Sequence, residues 1–155
     1  MDIQPFFRHF LATLAYRGGK CLRDAPDSFI HYDTGNGRTP LDILAHIGDL
    51  LEWTLAMADG QGRWKANPPG TWDQEAARFH QDLERLDRRL ASGEPLQADE
   101  ARLLQGPLAD AMTHVGQLAL LRRMAGAPVQ NENYFLAEIS QGRVGADQAP
   151  PRRPF

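Results

Sequence analysis

Apolar residues recur along most of the chain at spacings of three and four, and no stretch shows the strict alternation that a half-buried strand requires. Four helices are predicted. The first runs from about Pro5 to Leu22, with Phe7, Phe10, Leu11 and Leu14 on one side and Pro5 in the first turn, where its missing N–H costs nothing. The stretch Asp24 to Arg38 contains Pro26 and Gly35-Asn36-Gly37 and reads as a loop. The second helix opens at Thr39, an N-cap residue, with Pro40 in the first helical position and Asp42 placed to complement the helix dipole. Its predicted inward stripe is Ile43, His46, Leu50, Trp53 and Met57, and it ends near Asp59-Gly60, before a loop from Gly62 to Gly70.

The third helix begins with Thr71-Trp72-Asp73-Gln74, a capping box. Trp72, Ala76, Phe79, Leu83, Leu86 and Leu90 then form a bundle seam, while Asp82, Glu84, Arg85, Arg88 and Arg89 read as a solvated face. Gly93 and Pro95 interrupt the chain before a short helical turn around Ala98 to Leu104. A fourth long helix restarts at Gly106-Pro107 and runs to Ala125, with Gly126 and Pro128 as stop signals. Its inward stripe is Leu103, Pro107, His114, Leu118 and Leu121, with Asp110 beside it. A short amphipathic stretch with Tyr134, Phe135 and Ile139 precedes a tail from about 141, rich in Gly, Pro and Arg and expected to be extended. The expectation is an all-α protein, one domain over 1–155: an antiparallel four-helix bundle, with room for one crossover connection.

Composition narrows the function classes. With 42% hydrophobic and 24% charged residues the chain has the make-up of a soluble globular domain. A net charge of −3 provides no footprint for nucleic acid or for an anionic membrane surface. No apolar run is long enough to span a bilayer, and the early apolar stretch is broken by Arg8 and His9, unlike a signal peptide. The single cysteine, Cys21, excludes an internal disulfide and reads as a small buried hydrophobe. A cytoplasmic location is expected.

The chemistry concentrates in Asp110-Ala-Met-Thr-His114. Four helical residues turn the chain about 40° past one full turn, so Asp110 and His114 share a face and can grip one ion. His46 lies inward on another helix. A carboxylate among leucines needs a cation, a metal or several hydrogen bonds. Two His and one Asp from two helices would make a mononuclear metal site with open positions; the plainer alternative is a pair of satisfied core histidines. His9, His31 and His80 read as surface or boundary residues, and Asp42 as a dipole partner. Gln117 is expected to orient a ligand or bridge helices, and Gly116 to permit close helix packing. Phosphate-loop spacing and a nucleophile elbow are both absent.

Three segments then carry a family resemblance: Thr39-Pro-Leu-Asp-Ile-Leu-Ala-His46-Ile-Gly, His114-Val-Gly-Gln117-Leu and Leu121-Arg-Arg-Met-Ala-Gly126. The chain resembles the DinB-like superfamily of bacterial metal-binding four-helix bundles, often homodimeric. That resemblance implies ligands from one His in the second helix, matched by His46, and a His-x-x-x-His pair in the last, whose final member His114 matches. Asp110 stands where the family has the pair's first His. All-imidazole sites favour zinc or nickel, whereas two His and a carboxylate also suit iron or manganese. The resemblance further implies a metal-dependent enzyme on a small-molecule substrate, with transfer of a small thiol leading and hydrolysis next. The alternative is a non-catalytic dimeric bundle that binds a metal or ligand. No general base stands out.

Overall fold

The computed structural model describes residues 2–153. It is all-helical, with long helices α1 (Gln4–Leu22), α3 (Pro40–Ala58), α4 (Trp72–Ala91) and α6 (Ala109–Met124) and single turns α2 (Asp27–Ile30) and α5 (Glu100–Leu103). None of its helices is long and apolar enough to cross a membrane. Both predicted N-terminal caps form. Thr39 accepts from the Asp42 amide while Asp42 accepts from Thr39 N at 2.9 Å, and Thr71 and Gln74 repeat the exchange at the head of α4. Asp42 is thus a capping residue as well as a dipole partner.

α1 packs on α4 and α6, and α3 packs on the same two helices from the other side, around one apolar cluster. Arg8 meets Asp87 at 2.9 Å while Gly18 backs onto the Phe79 ring, so α1 and α4 run in opposite directions. α3 and α4 run the same way: Gly48 faces Arg78, and eleven residues further along the chain from each, Asp59 pairs with Arg89 at 2.6 Å. A wholly antiparallel set is therefore not what forms, because the connection from Asp59 to Thr71 crosses back along the molecule before α4 begins.

Three local expectations also change. The 24–38 segment is not all loop: Pro26 starts the turn α2, which drives Phe29 and Ile30 into the core, with Phe29 edge-on to Trp72 at 5.4 Å. The buried face of α3 is centred on Leu44, Ile47, Leu51, Thr54 and Ala58, one position round from the predicted stripe, which leaves His46, Trp53 and Met57 at its edge. On α4, Asp82 is buried rather than solvated. It belongs to a cluster in which Arg78 faces Asp49, Glu52, Glu75 and Asp82.

The short turn α5 and helix α6 are continuous through a wide π-type turn over Leu104–Leu108, where Gly106 leaves helical geometry at φ −91°, ψ −105°. Pro107 has no N–H to donate, so the hydrogen-bond ladder must open there. Beyond α6, Gly126 takes a positive φ of 78° and Arg122 turns back to donate to the carbonyls of Cys21 and Arg23, tying the ends of α1 and α6 together. The tail lies over the helices: Val144 and Ala149 are buried, and the fully buried Glu132 carboxylate receives Tyr16 Oη, Lys20 Nζ and the Arg152 amide.

Candidate metal centre

The capping box at Thr39 fixes where α3 begins, and His46 follows it by two turns. The π-type turn does the same for α6, leaving Asp110 in the first turn and His114 one turn on. Because α3 and α6 are neighbours, the three side chains converge. His114 Nε2 is 3.3 Å from Asp110 Oδ1, His46 Nε2 is 3.7 Å from Asp110 Oδ2, and one ligand atom from each lies within 4.8 Å of the others. The imidazoles meet edge to face, centroids 4.8 Å apart.

Asp110 departs from expectation in one respect. Its side chain is 48% exposed, against 21% for His46 and 9% for His114, so it sits on the rim of the groove and not among leucines. The desolvation argument for a metal therefore falls away for Asp110, because water can satisfy it. The geometric argument stands in its place: one carboxylate reaches both imidazoles.

Gln117 orients the site. Its Oε1 lies 2.7 Å from His114 Nδ1, and in the tautomer with the proton on Nδ1 that nitrogen donates to Gln117 and leaves Nε2 free to hold a metal. His46 is held below the usual imidazole range, first by burial, then by His114 and Arg38, against the smaller pull of Asp110 and Asp49. A neutral imidazole is what metal coordination needs.

The crossover loop roofs the groove. Trp64 stands edge-on to His46 at 5.6 Å and to Trp53 at 5.4 Å. Asn67 anchors this loop by donating its side-chain amide to Asp49 Oδ1 at 2.8 Å, and Asp49 is itself held by Arg78. Trp64, Asn67 and Arg38 escape a reading based on helical periodicity because all three lie in loops. The only signal for Trp64 was a tryptophan in a Gly- and Pro-rich stretch.

The remaining candidates stand apart. His9 and His31 are exposed, and His80 meets the Val144 carbonyl at 3.1 Å. Gly116 is exposed with open space where a Cβ would go, so it does not serve close helix packing. Cys21 is buried and its thiol is pushed up to about 11 by desolvation, which makes it inert packing.

The donor set fits a divalent ion. Bonds of about 2.0–2.1 Å in tetrahedral geometry place ligand atoms about 3.3 Å apart. The Asp110–His114 separation of 3.3 Å meets that spacing, while the three ligand atoms together lie within 4.8 Å, so binding one ion requires the more exposed His46 ring to move inward. Compared with protein families, with curated proteins and with solved structures, the chain matches none.

Proposed function

We propose that the protein binds a divalent metal through His46, Asp110 and His114 and is a metal-dependent enzyme acting on a small molecule. The convergence of those three side chains from two helices carries the reading. The Gln117 contact supports it, because metal-bound imidazoles commonly donate their second nitrogen's proton to such a partner. The resemblance to the DinB-like superfamily supports a bundle of that type, with one crossover, and makes transfer of a small thiol the leading reaction and hydrolysis the next.

A divalent ion with open positions here would act as a Lewis acid, making a water or a thiol more acidic. The chain's own residues supply three ligands, a fixed His114 tautomer and an aromatic roof that limits water at His46. Two nitrogens and one carboxylate accept zinc, nickel, iron or manganese.

Metal analysis of protein purified without an affinity tag is the test. About one equivalent of a divalent ion is expected in the wild type, with most of it lost in His114→Ala; no ion in either protein, even after incubation with zinc or nickel, defeats the proposal. Conjugation of a small thiol to an electrophile by the loaded protein then distinguishes an enzyme from the second reading, a non-catalytic dimeric binding module. Exposed Phe6 on α1 and Leu120 and Met124 on α6 favour a two-fold partner. Light scattering giving a monomer mass across a wide concentration range would exclude it.

A further inference from the structure

The groove between α3 and α6 continues past the metal ligands. Toward the start of α3 it opens into a cleft of about 220 Å³ lined by Thr34, Asn36, Arg38, Ile43, Gln117 and Leu121, with Leu120 at its edge. Ile43 precedes His46 by three residues and Gln117 follows His114 by three, so the cleft lies about 4.5 Å along the helix axes from the ligands. Its size is below the roughly 300 Å³ at which drug-sized pockets begin. A small molecule fits there.

The lining is asymmetric in a way that names a ligand. Ile43, Leu120 and Leu121 form an apolar wall, and Arg38 is the only charged residue of the cleft among the described residues. Arg38 is exposed at the mouth of the cleft and has no ion-pair partner among the described residues, so its guanidinium is free to meet a ligand. Its carbonyl lies 3.2 Å from Thr34 Oγ1, in a turn where Gly35 and Gly37 take positive φ of 79° and 89°. Gln117 spends its Oε1 on His114, which leaves its NH₂ as a donor on the cleft wall. A divalent ion held by one carboxylate and two neutral imidazoles would carry a net charge of about +1, so both ends of the groove favour an anion.

We propose that this cleft is a ligand subsite, that its ligand is a small carboxylate with an apolar body, and that Arg38 receives the carboxylate while Ile43, Leu120 and Leu121 cover the body. The subsite rests on the metal reading only for what holds the ligand's other end. A planar guanidinium takes a carboxylate through two parallel hydrogen bonds, which a neutral amide cannot reproduce.

The experiment titrates ¹⁵N-labelled full-length protein with 3-phenylpropionate and, separately, with neutral 3-phenylpropionamide. Each titration is run on chelated and on zinc-loaded protein, with Arg38→Gln and Arg38→Lys alongside wild type. The carboxylate should shift the backbone amides of Arg38, Ile43 and Gln117. The amide should bind at least ten times more weakly, and Arg38→Gln should lose at least tenfold in carboxylate affinity while Arg38→Lys keeps part of it. Equal affinity for carboxylate and amide, an unaffected Arg38→Gln, shifts confined to other regions, or no binding by wild type would each overturn the subsite. Zinc stoichiometry is read in the same samples. Absence of zinc with Arg38-dependent carboxylate binding defeats the metal reading and keeps the subsite; bound zinc with no Arg38 dependence does the reverse.

Discussion

His114 depends on Gln117 for the direction of its lone pair, and that dependence can be measured. Gln117→Leu removes the acceptor at Nδ1 and frees the ring to adopt either tautomer, so metal affinity is expected to fall about 10- to 100-fold. Gln117→Glu keeps an acceptor in place and should retain most of the affinity. Competition with a chromophoric chelator reads both; equal affinity in Gln117→Leu and wild type would show that Gln117 is only a surface residue. The three ligands were legible in the sequence because i,i+4 spacing on one helix and an inward histidine on another are periodic signals. The exposure of Asp110 was not, since it stands beside the inward stripe of Leu103, Pro107, His114, Leu118 and Leu121, and periodicity does not say how far the neighbouring helices cover that flank. Arg38 and Trp64 left no periodic trace, because only the fold brings their loops to the groove.

Among the elements, α3 shows why a stripe can be read one position off. Apolar residues occupy both 43, 50, 53, 57 and 44, 47, 51, 58, and periodicity alone does not choose between two adjacent stripes. The choice is made by Gly48 and Asp49, which face α4 and accept Arg78. A Cβ on Gly48 would stand 2.8 Å from Arg78 Cζ, so the glycine beside the histidine motif serves the opposite face from the metal ligands. Gly48→Ala is expected to displace Arg78 and lower stability by about 1–3 kcal/mol. Arg78→Met should cost more, about 3–5 kcal/mol, because it strands the buried Asp49, Glu75 and Asp82 carboxylates. Urea melts measure both, and a neutral Gly48→Ala would mean that Arg78 has room to shift. The charged residues of α4 read as a solvated face because a sequence shows charge but not the partner that buries it.

For the molecule as a whole, stability should carry the mark of too many acids around one arginine. Arg78 faces four carboxylates with Arg85 the only second cation among the described residues, and Asp82 is the one left short, its Oδ2 buried without a hydrogen bond and 3.6 Å from Arg78 Nε. Burial, then the neighbouring Glu52, push its carboxyl up to about 6. In the unfolded chain the same group titrates near its ordinary value of about 3.9. The folded state therefore holds this proton more tightly, and Asp82's contribution is full below about pH 4 and is lost as pH rises through about 6. Other groups bend the profile the opposite way. Glu132 is held below its ordinary range, by Lys20 and Tyr16 against burial, and stabilises above that range, while His80, lowered by burial, destabilises as it charges below about pH 6.5. The wild-type curve alone does not isolate Asp82, but its difference from Asp82→Asn does. The amide keeps the Oδ1 that receives Arg85 at 3.2 Å and cannot ionise. Relative to wild type, Asp82→Asn should be within about 0.5 kcal/mol at pH 4.5 and more stable by about 1–2 kcal/mol at pH 8. Urea melts of metal-free protein at the two pH values measure the difference without interference from the metal ligands. If the difference is the same at both, Asp82 is ionised throughout, and Arg78 satisfies all four of its carboxylates.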